Sequence, residues 1–344
     1  MRKLVVALVV LVVIVAASAA VTRTAIWGRL HDPFKGYPSE EQFVVVTPGT
    51  GTAAIGRRLV EAGIIRDELT FRAALWWTGR SQSLQAGEYR FDRPLAAVDV
   101  IERLARGDVY TRRLTFPEGL TIREMADIFE MRGFGQRTAF IQAAANASLI
   151  ESLDPEADDL EGYLFPETYA LPRDMAADRV IAMMVDRFRA IYTDEWRRRA
   201  EAEGLTTRQV VTLASLVEKE TAQADERPVV AAVYRNRLKI GMALQADPTV
   251  VYAMQKAGTY NGNIRRDDLS IDSPYNTYRY PGLPPGPIAA PGTRSIEAVL
   301  MPASVAYLYF VSRNDGSHVF SQTLEEHNRN VREFQILYFR RSSR

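Results

Sequence analysis

Phe43-Val44-Val45-Val46-Thr47-Pro48-Gly49-Thr50-Gly51-Thr52 reads as a strand, a turn and a helix cap in immediate succession. Phe43 to Val46 are aromatic or β-branched, which suits a pleated, half-buried strand. Thr47 to Gly51 supply the proline and glycines of a turn. Thr52 is a capping residue type; Ile55, Leu59 and Val60 then form an apolar stripe that Gly63 ends. Helical pattern resumes around Asp67 to Trp77, and Gly87 to Phe91 reads as a returning strand. The order is strand–helix–helix–strand.

The same grammar recurs further on. Leu114-Thr115-Phe116 leads to Pro117-Glu118-Gly119, then to Thr121 and a helix with Met125 and Phe129, ended by Gly133. Pro48 corresponds to Pro117 and Thr52 to Thr121; after one inserted residue, Ile55, Leu59 and Gly63 correspond to Met125, Phe129 and Gly133. Two copies are too few for a solenoid. They point to a duplicated small unit, over 43–110 and, as a second copy, over 111–155. Its shape resembles a LysM module, a peptidoglycan-binding fold.

The N-terminus carries a different signal. Arg2 and Lys3 precede an uncharged apolar run from Leu4 to Ala20, extended by Val21 and Thr22. A spanning helix needs about 20 such residues, whereas a secretory h-region has about 7–15. Residues 1–22 therefore read as an uncleaved transmembrane anchor; Ala17-Ser18-Ala19 leaves a cleaved signal as the alternative. Arg2 and Lys3 favour a cytoplasmic N-terminus, so the body of the protein is exported. Residues 23–42 mix Gly28, Pro33, Gly36 and Pro38 with charges and read as a linker.

Composition removes several functions. The 344 residues carry a net charge of +1, so no field draws nucleic acid. There is no cysteine, which excludes disulfides, thiolate metal sites and cysteine nucleophiles. His31, His318 and His327 are the only histidines and lie far apart in sequence, which argues against a metal centre. No cofactor is expected.

After the repeats comes the aromatic, acidic stretch Leu160 to Tyr169. One long amphipathic helix is expected from Asp174 to Ala202, on Val180, Met184, Phe188 and Ile191. Helices follow over about Thr207 to Thr221 and Asp225 to Ile240, and a short one from Asp247. Tyr275 to Gly292, crowded with prolines and glycines, reads as a fixed loop near a site. Val305 to Val311 reads as a strand and Thr323 to Phe339 as a helix. The fold class is α+β: a transmembrane helix, a LysM-like strand–helix–helix–strand module, and a mixed α+β catalytic domain over 111–344.

The helix before Thr221 is apolar on most of its circumference, through Val210, Val211, Leu213, Ala214, Leu216 and Val217, and so reads as buried. It ends in Glu218-Lys219-Glu220. A carboxyl against an apolar wall holds its proton to higher pH, as a general acid must. Glu218 falls beside Val211, Ala214 and Ser215, and Glu220 on the opposite side. This spacing favours Glu218 only weakly, and a solvated helix end is the competing reading.

Resemblance adds to this. Glu218-Lys219-Glu220-Thr221, Tyr234-Arg235-Asn236-Arg237-Leu238, Gly241 to Val250, and Tyr275-Asn276-Thr277-Tyr278 with Gly282 to Ile288 resemble the signatures of the YceG-like (MltG) family of endolytic murein transglycosylases. The resemblance extends over nearly the whole chain. It implies that Glu218 is the catalytic acid and base. Glu218 would protonate the glycosidic oxygen after a muramic acid residue, then take the proton of that sugar's 6-hydroxyl, leaving a 1,6-anhydro end. Gln245, Asp247, Thr249, Tyr252, Tyr275 and Asn276 would line the groove. Glu161, Glu167 and Glu220 would bind sugar or support the site. The implied partners are peptidoglycan strands, the inner membrane through residues 4–22, and, as candidates, peptidoglycan synthases. Three rivals stand beside this reading: a muramidase using water at Glu218, a non-catalytic wall-binding scaffold, and a pyridoxal-phosphate lyase, which the apolar N-terminus disfavours.

Overall fold

The apolar N-terminus forms helix α1 (Arg2–His31) in a computed structural model that describes residues 2–173 and 175–338. The helix outlasts the apolar run and continues through Arg23 into the stretch read as linker. Packing holds its last turns, since Leu30 is buried in the first of two compact units. Tyr37 is buried as well, and its hydroxyl donates to the Phe91 carbonyl at 3.0 Å. Residues 23–42 are thus fastened to this unit, which corrects the linker expectation. Buried apolar side chains among the glycines and prolines account for the difference.

The first unit comprises the chain up to Arg112 with a short return beginning at Ala170. Strand β1 (Gln42–Val46) turns Val44 and Val46 inward and leaves Phe43 and Val45 exposed, the period of two that a strand imposes. Helices α2 (Thr52–Glu61) and α3 (Glu68–Thr78) follow, then strand β2 (Gly87–Phe91). β1 and β2 pair antiparallel with Val44 opposite Tyr89. The Asp67 carboxylate caps α3 by accepting from the Thr70 amide at 2.8 Å. α2 approaches α3 closely because residue 56 is glycine: a Cβ there would stand 2.6 Å from the Phe71 ring. Helix α4 (Ala97–Arg106) closes the core with Val100, Ile101 and Leu104.

The second unit begins at Arg113. Strands β3 (Thr111–Thr115) and β4 (Thr168–Pro172) form a ribbon, with the Thr115 and Thr168 hydroxyls 2.8 Å apart. Between them lie α5 (Ile122–Met131) and α6 (Arg137–Ala144). Thr121 and Glu124 form a capping box at the start of α5. The strand–helix–helix–strand order therefore occurs again, with its closing strand later than residue 155.

The helix expected over 174–202 is two helices, α7 (Ala177–Ile191) and α8 (Asp194–Ala202). The apolar stripe stops at Ile191, and Thr193 in extended conformation starts α8 with Asp194 and Glu195 in its first turn, an N-terminal signature that periodicity alone passes over. Asp174 and Phe339, the expected limits of two helices, lie outside the described residues. Helix α9 (Thr207–Glu220) is the core of this unit, with every residue from Val210 to Val217 buried. It packs against α10 (Arg227–Lys239), α11 (Asp247–Ala257) and α12 (Thr293–Leu300). A hairpin of β5 (Tyr309–Ser312) and β6 (His318–Ser321) precedes α13 (Leu324–Val331). The strand starts later than Val305 because Asn236 donates to the carbonyls of Val305 and Tyr307. His318 ties the hairpin to Glu226, ring nitrogen to carboxylate, at 2.7 Å.

Gly162 sits in the left-handed region at φ +83°, with Pro287 and Val211 packed where a side chain would go. Gly162→Ala is expected to destabilise the protein by about 2–5 kcal/mol, the sum of left-handed strain and overpacking. Gly204, with a similar φ of +70° and nothing around it, serves as control: Gly204→Ala is expected to cost about 1 kcal/mol. Equilibrium denaturation of both variants checks the difference.

Candidate active site

Glu218 occupies the last turn of α9, where the buried helix delivers its carboxylate, 5% exposed, to a cluster of donors. Oε1 accepts from Nη2 of Arg227 at 2.9 Å. Oε2 accepts from the Gly292 amide at 3.0 Å and from the Ser295 hydroxyl at 2.7 Å. Gly292 and Ser295 belong to the start of α12, so the carboxylate meets the positive end of that helix. Arg227, in the first turn of α10, is itself buried. The wall against Glu218 is thus polar, which corrects the expected apolar wall.

A second acid stands beside it. Glu118 lies 3.7 Å from the same Arg227 nitrogen and is half-exposed. Burial, and then the charge of Glu218, push the Glu118 carboxyl above its ordinary value. Its carboxylate lies over Gly292, where any Cβ would collide with it. The loop carrying Glu118 is pinned on both sides. The Gly119 amide donates to the Ala290 carbonyl, the Ala290 amide donates to Leu120, and Lys219 Nζ donates to the Gly119 carbonyl at 3.1 Å. The proline-rich stretch is therefore the fixed loop that its composition indicates: Ile288 binds Ser215 through its amide, Ala290 binds the Glu118 loop and Gly292 binds Glu218.

A cavity of about 430 Å³ opens beside the start of α5, lined by Ile122, Arg123, Arg137, Glu161, Tyr252 and Lys256 among others. Thr121 also lines it, two residues from Gly119, whose Cα is within ~7 Å by chain length. Glu161 accepts from the Ile122 amide at 3.0 Å and from the Tyr252 hydroxyl at 3.2 Å. Burial pushes its carboxyl up to about 8. Tyr252 and Tyr275 have ring centroids 4.8 Å apart, and Lys256 Nζ stands over both rings.

The remaining sequence candidates lie elsewhere in the unit. Thr249 and Asn276 are fully buried; their side chains bond to Ala246 and Thr277, and to the Leu269 and Ile271 carbonyls. That corrects their placement on an open groove: polar residue types were read as sugar ligands where they hold backbone. Gln245 is exposed in a left-handed conformation at φ +48°. Asp247 is the first residue of α11 without capping it, and accepts from the Tyr278 hydroxyl at 2.5 Å. Glu167 forms a two-point pair with Arg187 at 2.6 and 3.1 Å. Glu220 is half-buried, with its carboxylate enclosed beside Tyr234, and that burial pushes the carboxyl up to about 7. Among the described residues, the carboxyls pushed up by burial are those of Glu161, Glu220 and Glu118.

Arg227, Glu118, Gly292 and Ser295 were not singled out from the sequence. Two signals pointed to the first two. Glu118 replaces Gly49 of the first copy at the matching turn position. Arg227 puts a cation in the first turn of a helix, against the dipole, which calls for a compensating anion.

Arg227→Met leaves a buried carboxylate without its cation and is expected to cost about 3–5 kcal/mol; adding Glu218→Gln should recover part of that loss. A denaturation cycle over the four proteins checks the coupling. Glu161 gives a pH signature. Its carboxyl titrates near 8 when folded against an ordinary 4.5, so the folded state binds more protons between those values. Stability contributed at this site is therefore lost as pH rises through that window. Glu161→Gln should flatten the fall of Tm between about pH 5 and 8, so that the variant gains on the parent as pH rises.

Comparison with known proteins places these features. The model of the YceG-like family matches residues 44–333. A relative from Bacillus subtilis (strain 168), named endolytic murein transglycosylase, is 33% identical over 300 residues, covering 83% of this chain and 82% of its own length. A protein of that name from Streptococcus pneumoniae (strain ATCC BAA-255 / R6) is 31% identical, over 84% of this chain and 58% of its own length. The crystal structure of a YceG-like protein, lmo1499, from Listeria monocytogenes aligns with a TM-score of 0.58 at 30% identity, covering 84% of this chain and 98% of that one. With the family model spanning most of the chain and relatives alike over four-fifths of it, this protein belongs to the YceG-like family.

Proposed function

We propose that this chain is an endolytic peptidoglycan lytic transglycosylase, cutting the bond between N-acetylmuramic acid and N-acetylglucosamine within nascent strands. The observation that carries this is Glu218, a buried carboxylate that accepts three hydrogen bonds from two separate stretches of chain, the starts of α10 and α12. The names of the relatives from Bacillus and Streptococcus support the substrate class.

As general acid, Glu218 gives a proton to the glycosidic oxygen as the bond from C1 to that oxygen breaks. The 6-hydroxyl oxygen of the same muramic acid residue bonds to C1, and its proton passes to Glu218. One bond breaks, one forms, the carboxyl ends as it began, and no water is consumed. Arg227, Ser295 and the Gly292 amide hold the carboxylate in one orientation. Retaining and inverting hydrolases need two carboxylates; here the sugar supplies the nucleophile. The nearby cavity, with Glu161, Tyr252 and Lys256, receives substrate groups that branch from the strand.

α1 anchors the chain: its described part from Val9 to His31 is long and apolar enough to cross a membrane. Arg2 and Lys3 put its N-terminus in the cytoplasm and the second unit outside, where it ends nascent strands of the inner membrane's periplasmic face. The strand–helix–helix–strand unit over 43–110 serves as a LysM-like glycan-binding module, and peptidoglycan synthases are the candidate partners. One observation favours a second reading. Glu118 shares Arg227 with Glu218, and a second carboxylate acting on water there would make the enzyme a muramidase.

Glu218→Gln should lower cleavage of un-crosslinked strands by about 10²–10⁴-fold. Mass spectrometry of the products should show 1,6-anhydro ends from the parent protein. Reducing ends would select the muramidase, and absence of cleavage by the parent would select a scaffold.

A further inference from the structure

Three of the chain's four tryptophans gather in one place. Trp27, near the end of α1, stacks on His31 at 3.8 Å and meets Trp77 of α3 edge-on at 5.6 Å. None of this patch is covered by the rest of the chain: Trp27 and Trp77 are each 51% exposed, the neighbouring Trp76 81% and Leu69 70%. On α3, Leu69, Arg72 and Trp76 recur at i, i+3 and i+7, which puts them on one face. Phe71, Ala74 and Leu75 form the opposite, buried face. Tyr89 and Phe91 of the same unit are buried, and Phe43 and Val45 are less exposed than Leu69 or the tryptophans, so the patch concentrates apolar exposure and marks a contact surface.

The depth of the patch follows from α1. The apolar run ends at Thr22 and Arg23 follows. Trp27 lies one turn further, about 6 Å along the axis. The helix has 30 residues, about 45 Å, against a hydrocarbon thickness of about 30 Å. Its last turns therefore stand in the headgroup layer. Trp77 touches Trp27 and shares that depth. The arrangement is fixed, because Leu30 of α1 is buried in the unit's core and Arg29 pairs with Asp67 at 3.5 Å. Tryptophan prefers this layer, where the ring is half-apolar and its N–H finds water or phosphate.

We propose that the face of α3 bearing Leu69, Trp76 and Trp77 sits in the interfacial layer of the same bilayer that α1 enters, with Arg72 at the lipid phosphates. The proposal rests on the reading of α1 as an anchor. It makes α3 a second membrane contact, so the first unit is seated on the bilayer at a set height instead of swinging on its helix.

Quenching of tryptophan fluorescence in reconstituted full-length protein tests this. The vesicles hold zwitterionic and anionic phospholipid, brominated on the acyl chains either near the headgroup or near the tail end. Trp27→Phe/Trp196→Phe leaves only Trp76 and Trp77; Trp76→Phe/Trp77→Phe/Trp196→Phe leaves only Trp27. The expected result is loss of emission in both proteins, greater with shallow bromines than with deep ones. If Trp27 is quenched while Trp76 and Trp77 emit as in unbrominated lipid, α3 is not seated and the anchor stands. If neither protein is quenched, the anchor reading fails and the seat fails with it.

Discussion

The buried pair of Glu218 and Arg227 is the contact on which the second unit depends. A carboxylate and a guanidinium removed from water are costly unless each finds partners. Those partners come from distant parts of the chain: Glu118 before α5, Arg227 at the start of α10, Gly292 and Ser295 at the start of α12. Satisfying one carboxylate therefore fixes the mutual positions of α9, α10, α12 and the Glu118 loop. The prolines of the 284–291 stretch stiffen the one segment that must run past all of them.

In the proposed mechanism a single carboxyl serves as both acid and base, which asks that it be held in one place throughout. Its donors are a guanidinium, a backbone amide and a hydroxyl, and together they set its position before substrate arrives. Glu118 adds a second negative group at the rim, close enough for its own carboxyl to feel the charge of Glu218. Glu161, protonated at neutral pH, lines the adjoining cavity as a neutral, hydrogen-bonding acid.

Much of this was legible in the sequence, and the failures have physical causes. Strand β1 and helix α2 follow from a β-branched run, turn residues and an apolar stripe, which act locally. The buried helix and Glu218 at its end follow from an apolar circumference. The partners of Glu218 did not, because Arg227, Ser295 and Gly292 meet it only through tertiary folding. Thr249 and Asn276 were misplaced for a related reason: residue type cannot tell a hydroxyl facing sugar from one holding a buried turn. The linker was misread because Leu30 and Tyr37, scattered among breakers, have no period to detect.

An isotope experiment bears most directly on the account, which holds that the sugar's own 6-hydroxyl, not water, takes the anomeric carbon. Un-crosslinked glycan strands are digested in water enriched in oxygen-18, and the new ends are weighed by mass spectrometry. The account predicts ends that carry no heavy oxygen. Heavy oxygen at the new anomeric carbon would show that water is the nucleophile and would contradict it.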